Sequence, residues 1–427
     1  MDNPNRRQFA GAMGASLLCG AASGAVLGAA SGGKLKTGVI GCGWFGGVDA
    51  NNALAVGGAE IVAAADADSG HLREFADEME KKQGSRPKQF KDYRELLEMP
   101  GLEAVIIATP PQWHALPFLA ACRKGLHIYQ EKPLAYDIRE GRAMVEAAKQ
   151  NAGVVQIGFQ RRQSEAFQQV AQFIRDGNAG RIVQVDVQIH YTAGTPDETP
   201  QAPPPELDWE QWCGPAPKWP YSPAIGHKSW RLAEPYGNGH LVDWGIHLID
   251  AIRVILGESM PRWVEAAGGL YQLKGKITTP DTLTAHFEFD RCPVVWRHRL
   301  WGAAEVAPEL SNGIFFFGEK ATVFVTDDRW SVVPVGGGER KTVKVSGDSG
   351  RVHMQNWLEC VAAGKAPACR IEDAYQSTAT VQLAMISYKT GTRVVWDRET
   401  EQITSNPAAA ALLKREYRSP YTHPYAG

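Results

Sequence analysis

The chain has 427 residues, of which 44% are hydrophobic and 22% are charged, and its formal net charge is -2. This composition is ordinary for a soluble globular protein, and the length is sufficient for two or three domains. The near-neutral charge and the lack of a dense Lys/Arg run argue against a nucleic-acid partner.

The first thirty residues have the pattern of a twin-arginine export signal. Arg6 and Arg7 precede an uncharged run rich in Ala, Gly and Leu, and small residues near Ala30 suit cleavage. Two alternatives stay open: a membrane-spanning helix, for which the run is weakly apolar, and a lipid anchor on Cys19. The pattern predicts that residues 1–33 are signal peptide and linker, that the twin-arginine translocase exports the chain, and that the protein is periplasmic.

Six cysteines remain beyond this segment, with no CxxC motif and no spacing typical of a zinc site. Exported proteins can form disulfides, but the twin-arginine route carries chains that have already folded in the reducing cytoplasm. We therefore expect a fold that does not depend on disulfides. Whether Cys360 and Cys369, the one near pair, are bridged stays open.

Residues 34–158 alternate short apolar runs with amphipathic stretches. Strands that alternate with helices predict a doubly wound parallel sheet, the α/β architecture of a Rossmann domain. The predicted strands are 37–40, 61–65, 104–108, 127–129 and 154–159, and the predicted helices include 72–82 and 113–124.

A glycine-rich loop with the sequence GCGWFG, residues 41–46, directly follows the first predicted strand and precedes a predicted helix. Gly41 permits a tight turn, Gly43 lets the backbone approach a pyrophosphate, and Gly46 lets helix and strand pack closely. The phosphates would then meet the free N–H groups of the helix N-terminus. The loop predicts a dinucleotide cofactor; the alternative is a glycine-rich turn without a ligand.

Asp66 ends the second predicted strand and bears on the choice of dinucleotide. A carboxylate at this position can accept hydrogen bonds from both ribose hydroxyls of an adenosine, and it would repel a 2′-phosphate. The next arginine along the chain is Arg73, so no arginine adjoins Asp66 in the sequence. We therefore predict NAD rather than NADP. A second role for Asp66, as N-cap of a helix beginning near Ser69, is compatible with this prediction.

Residues 159–400 predict a second, α+β domain, followed by a tail at 401–427. A helix at 165–176 and a strand at 181–191 lead into a loop at 193–236 that is rich in Pro and Trp. Structureless loops of this length often cover a functional site. Further runs predict a large, mostly antiparallel sheet with helices on one face. The predicted strands are 263–272, 283–289, 294–301, 314–317 and 322–325, and the predicted helices begin near 242, 353 and 374.

Three side chains within residues 237–250, His240, Asp243 and His247, are spaced three and four residues apart. In a helix they would share one face. They can form an acid–base group, a polar helix face or three metal ligands. The stretch by itself leaves these interpretations open.

Four segments together resemble the Gfo/Idh/MocA oxidoreductases, the family of glucose–fructose oxidoreductase and inositol dehydrogenase. They are the glycine loop, the run ATPPQWH at 108–114, the run EKPL at 131–134 and the D-x-x-x-H spacing of Asp243 and His247. The resemblance extends from about residue 36 to about residue 396. Asn238, where many members have glycine, and the extra imidazole of His240 depart from the family pattern and leave the substrate and a metal site open.

The resemblance implies a role for each matching residue. Lys132, Asp243 and His247 would be catalytic and would meet beside the nicotinamide and the reacting hydroxyl. The cofactor-binding candidates are Gly41, Gly43, Trp44, Phe45, Gly46, Asp66, Thr109, Pro110, Pro111, His114, Glu131, Lys132 and Gln160. The substrate-binding candidates are Lys132, Arg162, His227, Trp230, Arg231, His240, Asp243 and His247. By resemblance alone we also expect a homodimer or homotetramer.

Oxidation of an alcohol requires a base for the hydroxyl proton and a site that holds the C–H bond against the nicotinamide. His247 suits the base because the reference pKa of histidine lies near neutral pH. Asp243, one turn away, can orient His247, and Lys132 can polarise the substrate oxygen. We therefore favour acid–base chemistry, without a metal, over the other two interpretations of the stretch.

Sugars present apolar C–H faces and polar rims, which tryptophans and charged side chains recognise. Trp230 with His227 and Arg231 therefore favours a carbohydrate. We predict a periplasmic NAD-dependent oxidoreductase that acts on a hydroxyl of a sugar or glycoside, with tightly bound cofactor. One alternative is a redox-assisted glycosidase, whose relatives within the family lack the lysine of the EKP motif; Lys132 argues against it. The other is a non-catalytic NAD-binding protein.

Overall fold

The computed structural model of the chain describes residues 33–194, 197–227, 229–303 and 311–425. The predicted twin-arginine signal, with Arg6, Arg7 and Cys19, lies outside the described residues and stays a prediction. Within the described residues, no helix has both the length and the apolar character needed to cross a membrane. The six cysteines among these residues are free thiols, including Cys360 and Cys369.

Six strands in the N-terminal part of the chain form one parallel sheet. They are β1 (Leu35–Ile40), β2 (Ala59–Ala65), β3 (Lys88–Phe90), β4 (Ala104–Ile107), β5 (His127–Glu131) and β6 (Val155–Gly158). Their order is β3-β2-β1-β4-β5-β6, and every neighbouring pair is parallel. The helices between them are α1 (Trp44–Val56), α2 (Ser69–Gln83), α3 (Tyr93–Leu97), α4 (Ala115–Arg123) and α5 (Ile138–Gln150). Helices cover both faces, which explains why the strands are nearly continuous apolar runs.

The described residues after β6 form a ten-stranded sheet and seven further helices. The strands are β7 (Ile182–His190), β8 (Trp263–Gly269), β9 (Thr282–Glu288), β10 (Pro293–Arg299), β11 (Asn312–Gly318), β12 (Ala321–Val325), β13 (Arg329–Pro334), β14 (Lys341–Lys344), β15 (Val394–Asp397) and β16 (Gln402–Ile403). The helices are α6 (Glu165–Arg175), α7 (Trp209–Cys213), α8 (Glu234–Gly237), α9 (Ile246–Leu256), α10 (Ser349–Ala363), α11 (Ile371–Thr390) and α12 (Pro407–Ala411). The strand order is β14-β13-β12-β11-β7-β10-β9-β8-β15-β16, and β7 with β10 is the one parallel pair among those neighbours. The predicted fold class, a parallel Rossmann sheet followed by a mostly antiparallel one, is confirmed.

The larger sheet buries one face and leaves the other partly open. Trp296, Phe287 and Phe316 point into the core beneath α6, α9 and α11 and are fully buried. On the opposite face, the alternation of each strand brings side chains such as Phe317 and Val333 to the surface, where they are 36% and 42% exposed. The sheet therefore has one packed face and one partly exposed face, where apolar side chains lie beside charged pairs such as Arg297 with Asp186.

The segment 193–236 contains regular structure, so the prediction of a structureless loop is wrong. Besides α7 and α8 it contains a 3₁₀ turn at Ser229–Leu232. It has its own aromatic core, in which Trp209 and Trp212 stack with ring centroids 4.6 Å apart and Tyr236 is fully buried. The helix predicted near 242 begins as one π-helical turn, Leu241–Gly245, and continues as α9.

Candidate active site

The glycine loop is shaped by two close backbone approaches. Gly41 has φ +91°, and a Cβ there would lie 2.7 Å from the backbone nitrogen of Thr109. A Cβ on Gly46 would lie 1.9 Å from the carbonyl oxygen of Gly41. A side chain at Gly46 would therefore push helix α1 away from the loop after β1, and one at Gly41 would clash with the backbone that follows β4. Helix α1 begins directly after Gly43 with no acidic residue in its first turn, so its N-terminus suits an anionic ligand.

Asp66 stands at the end of β2 and faces this loop. Its Oδ2 accepts a hydrogen bond from the backbone N–H of Cys42 at 2.6 Å, and its Oδ1 accepts one from the N–H of Asp68 at 2.8 Å. Asp66 does not cap the following helix: the N-cap of α2 is Asp68, whose carboxylate accepts from Gly70 and His71. The capping role considered for Asp66 is thus corrected, and its carboxylate is held at the edge of the cleft.

A cavity of about 770 Å³ lies over the glycine loop and Asp66. Its other wall comes from the segment 193–236, including Trp212, Tyr221 and Trp230. This volume lies within the range of cofactor and ligand sites. The predicted cofactor-binding residues that line it are Gly41, Gly43, Trp44, Phe45, Asp66, Thr109 and Pro110.

Two other predicted cofactor residues, Pro111 and His114, lie behind this surface. The ring nitrogens of His114 lie 2.6 Å from the carbonyl of Pro133 and 2.8 Å from that of Thr109. Burial lowers the pKa of His114 to about 4. Pro111 is also buried, in the 3₁₀ turn Pro111–Trp113. These contacts fix the loop after β4 and the EKP turn relative to each other, so both residues support the cleft.

Glu131 and Gln160 form a second support, at the carboxyl ends of β5 and β6. The Gln160 amide donates to Glu131 Oε1 at 2.5 Å and also contacts the hydroxyl of Tyr129 at 3.2 Å. Burial raises the pKa of Glu131 to about 7, although Lys132 and Gln160 act in the opposite direction. The pair places Lys132 directly beyond the last residue of β5.

Lys132 meets Asp243 at the junction of the two sheets. Its Nζ donates to the main-chain oxygen of Asp243 at 2.7 Å and to Oδ1 at 2.8 Å, and Arg231 Nε lies 3.1 Å from Oδ2. Burial alone would raise the pKa of Asp243, but the charges of Lys132 and Arg231 outweigh it and hold the pKa below its usual range. Asp243 is therefore a carboxylate clamped between two cations.

His247 follows one turn after Asp243, in the first turn of α9. Desolvation, reinforced by the positive charges of Lys132 and Arg161, lowers the pKa of His247 well below its usual value. Its Nδ1 is buried and has no hydrogen-bond partner among the described residues. The expectation that Asp243 orients His247 is corrected, because both carboxylate oxygens of Asp243 are directed to Lys132 and Arg231.

The cavity reaches this group through Arg231. Lys132, Asp243 and His247 are absent from the described residues that line the cavity, whereas Arg231 lines it and also contacts Asp243. Trp230 lines the cavity as well, and the Arg231 guanidinium lies 4.4 Å from the centre of its ring. The large cavity thus corresponds to the cofactor half of the site, and Arg231 marks its boundary with the acid–base group.

Arg162 is not placed to bind a substrate, which corrects that prediction. Its Nε and Nη2 donate to the two carboxylate oxygens of Asp250 at 2.9 and 2.7 Å, and its side chain is 7% exposed. Its Nη1 donates to the carbonyl of Ala368 at 3.2 Å. This buried pair joins the segment after β6 to helix α9.

His227 is also displaced from its predicted role. Its ring packs on that of His71, with centroids 4.5 Å apart, and its Nε2 lies 3.5 Å from Asp68 Oδ2. These neighbours belong to the start of α2, next to Asp66. His227 therefore lies at the end of the cleft predicted for ribose, and its assignment to the substrate is corrected.

His240 is 2% exposed, and its ring packs against the larger sheet, next to β7 and β10. Its ring lies 5.0 Å from that of Tyr191 and 5.1 Å from that of His298, measured between centroids. Substrate contact through its imidazole is therefore not supported. The metal alternative for His240, Asp243 and His247 also loses support, because the carboxylate of Asp243 already faces two cations.

Two site residues were missed by the sequence analysis. Tyr191 directly follows β7, and burial together with the charge of Asp243 raises its pKa to about 12. His71 lines the cavity, and its Nδ1 would lie 3.9 Å from a Cβ on Gly43. A signal existed for each: Tyr191 ends a long alternating strand, and His71 stands in the first turn of the helix that follows Asp66.

Comparisons with known proteins agree with this architecture. A family described as an oxidoreductase family with an NAD-binding Rossmann fold matches residues 35–159, and its C-terminal alpha/beta domain matches residues 181–423. The chain therefore belongs to the Gfo/Idh/MocA oxidoreductase family.

Individual relatives are more distant. The scyllo-inositol 2-dehydrogenase (NAD(+)) of Bacillus subtilis is 25% identical over 378 residues, which cover 85% of this chain and 97% of that enzyme. The inositol 2-dehydrogenase of Salmonella typhimurium is 33% identical over 172 residues, 39% of this chain, and the match spans only half of that relative's length. The aldose-aldose oxidoreductase of Caulobacter crescentus has a similar fold, with a TM-score of 0.67 and 18% identity over 85% of this chain and 100% of that one.

Proposed function

We propose that this member of the Gfo/Idh/MocA family is an NAD-dependent oxidoreductase that oxidises a CH–OH group of a sugar, glycoside or cyclic polyol. The observation that carries the proposal is the contact of Lys132 Nζ with Asp243 Oδ1 at 2.8 Å. It joins Lys132, which follows strand β5 of the first sheet, to Asp243 in the helical turn Leu241–Gly245 of the second domain. Such a group suits proton transfer beside a bound cofactor.

The residues around the cleft fit a dinucleotide. The glycine loop leaves no room for side chains at Gly41 and Gly46, and the helix that follows opens its N-terminus toward the cavity. Bound NAD⁺ would supply the acceptor for the hydride that leaves the substrate carbon. The carboxylate of Asp66 favours a ribose with free hydroxyls, which is the basis for proposing NAD rather than NADP.

The protein's own groups would handle the proton. His247 is held neutral by its lowered pKa, so it can accept the hydroxyl proton as the C–H bond breaks. The ammonium group of Lys132 can donate a hydrogen bond to the substrate oxygen and stabilise the charge that develops there. Asp243 keeps Lys132 at this point, and Arg231 fixes the other oxygen of Asp243.

The carbohydrate class is supported by the wall of the cavity next to Arg231. Trp230 offers an aromatic face, and Arg231 offers a cation within 4.4 Å of its centre. This combination suits a ring with apolar C–H faces and hydroxyls at its rim. The names of the relatives, which act on inositols and aldoses, agree with this class.

Retention of the cofactor is supported by the way the segment 193–236 attaches to the first sheet. Trp113 Nε1 donates to the carbonyl of Gln211 at 2.9 Å, and the N–H of Asp208 donates to the carbonyl of Ala67 at 3.0 Å. Since these bonds lie around the cavity, we propose that the segment covers bound NAD. The proposal also includes export to the periplasm, where free NAD is scarce and a retained cofactor would be an advantage.

Association into a homodimer or homotetramer is a further part of the proposal. The open face of the larger sheet displays Phe317 and Val333, and Phe315 stacks on Phe317 with centroids 6.1 Å apart. Exposed apolar side chains are enriched at contacts between subunits, which is the basis for this part of the proposal. Sedimentation of the purified chain at several concentrations would test it.

The test of function is a panel of sugars, glycosides and cyclic polyols with the purified chain, followed by absorbance of the reduced nicotinamide. The proposal expects reduction with at least one member of the panel, and reduction slowed by about 100-fold or more in the variant Lys132→Ala. Product analysis separates the alternatives. A freed sugar with no net redox change would indicate the redox-assisted glycosidase, and no turnover of any compound would indicate a non-catalytic NAD-binding protein.

A further inference from the structure

A group of three potential metal ligands lies at the edge of the cofactor cavity, away from Lys132 and Asp243. Asp68, His71 and His227 each offer one ligand atom, and these atoms all lie within 4.8 Å of one another. All three residues line the cavity. The group thus has an opening toward a ligand, and none of its members takes part in the proton chemistry proposed above.

The donor set suits a borderline transition metal. Zinc is bound by imidazole nitrogens and carboxylate oxygens at about 2.0–2.2 Å, which places tetrahedral ligand atoms roughly 3.3 Å apart. The distance from His227 Nε2 to Asp68 Oδ2 is 3.5 Å, close to that separation. The third ligand atom, on His71, lies within 4.8 Å of both of these atoms.

The backbone holds the three residues together without help from a metal. Asp68 uses Oδ1 to accept from the N–H groups of Gly70 and His71, which leaves Oδ2 directed at His227. The N–H of Ser69 donates to the carbonyl of Glu206 at 2.9 Å, so the segment that carries His227 is bonded to the start of α2. The ligands are therefore brought together in advance from two distant parts of the chain.

The described residues contain a second group of this type, and its surroundings differ. Asp137, Glu140 and His423 also bring ligand atoms within 4.8 Å. There, the Arg415 guanidinium pairs with Glu140 at 2.9 Å and the Arg415 N–H donates to Asp137 Oδ2 at 3.0 Å. A cation and backbone donors already occupy those carboxylates, so this second group is a structural network.

We propose that Asp68, His71 and His227 bind one divalent transition metal ion of the zinc class. Three protein ligands leave a coordination position for water or for an oxygen of a ligand in the cavity. Because His227 comes from the segment 193–236 and the other two from α2, the metal would fasten that segment over the ribose end of the cleft. The proposal concerns metal binding alone and does not depend on the proposed dehydrogenase activity.

The test uses the full chain without a histidine tag, freed of metal with a chelator and titrated with Zn²⁺ alone in a calorimeter. Co²⁺ is the second probe, because its visible absorption reports nitrogen and oxygen ligands directly. We expect one Zn²⁺ per chain. His71→Ala and His227→Ala should each weaken binding by more than the roughly 10-fold to 100-fold that loss of an outer-shell partner costs. Asp68→Asn, which can still cap the helix, should also weaken it, and His286→Ala should bind as the unaltered chain does.

The proposal is overturned if the unaltered chain binds no Zn²⁺, or if His71→Ala and His227→Ala bind Zn²⁺ as tightly as His286→Ala. Circular dichroism of each variant checks that it is folded. If a histidine variant is unfolded, zinc binding by Asp68→Asn is the test in its place. No substrate is present, so the outcome is separate from the proposed function. Zinc binding without sugar turnover would support the metal site and contradict the proposed dehydrogenase function. Sugar turnover without zinc binding would support the function and contradict the metal site.

Discussion

Lys132 Nζ donates to two oxygens of the same residue, the main-chain oxygen and Oδ1 of Asp243, at 2.7 and 2.8 Å. The two bonds fix the ammonium group at the junction of the two sheets. Asp243 in turn has its second carboxylate oxygen 3.1 Å from Arg231. The geometry therefore makes Lys132 a positioned cation whose place depends on the second domain.

Removal of either group that touches the reacting atoms should reduce turnover. We expect Lys132→Ala and His247→Ala each to lower kcat by about 100-fold or more, as for loss of an acid–base or charge-stabilising group. Binding of NAD should persist, because the glycine loop is untouched. Steady-state kinetics and cofactor titration measure the two effects. Lys124→Ala, an exposed lysine paired with Glu98, is the control; near-normal turnover in either site variant would contradict the assignment.

The pH profile should reflect the lowered pKa of His247. A base acts in its neutral form, and a lowered pKa keeps that form present at pH values below about 6.5, the usual pKa of histidine. We expect kcat/KM for alcohol oxidation to stay constant as the pH falls through 6.5 and to decline only at clearly lower pH. Initial rates between pH 4.5 and 8 measure this. An acid limb centred at or above pH 6.5 would argue against His247 as the base.

The parts of the site that could be predicted from sequence are those that a local pattern specifies. The glycine loop follows a buried strand, and Asp66 ends the next strand, so their positions in the parallel sheet follow from alternation alone. Lys132 and Asp243 could be brought together only by the family resemblance, because they are 111 residues apart. No local pattern reports a contact over that distance.

The incorrect predictions also arise from contacts between residues that are far apart in the sequence. Arg162 pairs with Asp250, 88 residues away, and nothing near either residue in the sequence indicates that partner. The edge strand β14, Lys341–Lys344, is mostly exposed and polar, so it lacks the alternation of a half-buried strand and is formed by backbone pairing with β13. His227 was assigned to the substrate from its place in a Trp-rich loop, whereas the fold of that loop carries it to Asp68.

Loss of the Arg162 pair should reduce stability rather than substrate affinity. Arg162→Ala removes both guanidinium hydrogen bonds from the buried carboxylate of Asp250, which costs about 3–5 kcal/mol in the free energy of unfolding. Urea denaturation measures this change. The control Arg181→Ala, which breaks an exposed pair with Glu319, should cost less than about 1 kcal/mol. If Arg162→Ala is as stable as the unaltered chain but has a raised KM for the sugar, Arg162 binds the substrate after all.

The preference for NAD should depend on Asp66. Its carboxylate favours free ribose hydroxyls and repels a 2′-phosphate, so Asp66→Ala should narrow the ratio of NAD to NADP affinity. The unaltered chain should bind NAD more tightly, by fluorescence titration with each cofactor after removal of any bound nucleotide. Asp77→Ala, an exposed residue of α2 paired with Arg86, should leave the ratio unchanged. Tighter binding of NADP by the unaltered chain would show that Asp66 was misinterpreted.

The attachment of the segment 193–236 should control how fast the cofactor leaves. Trp113 Nε1 donates to the carbonyls of Gln211 and Trp212, at 2.9 and 3.1 Å, and so ties this segment to the wall of the cleft. Trp113→Phe keeps an aromatic ring but removes the donor. We therefore expect the segment to open more often and NAD to dissociate faster, since release through a cover is governed by its opening.

The measurement is the amount of NAD that stays bound. After extensive dialysis, each protein is denatured and the supernatant assayed for nicotinamide cofactor. The unaltered chain should retain close to one equivalent and Trp113→Phe clearly less. Trp330→Phe, which removes a comparable donor to Gln169 far along the second sheet, should behave like the unaltered chain.

A retained cofactor must be reoxidised in place by a second organic substrate, so kinetics should be ping-pong. If only a trace of NAD stays bound and activity requires added cofactor, the cofactor is not retained between reactions. The dehydrogenase assignment would be unaffected by that result.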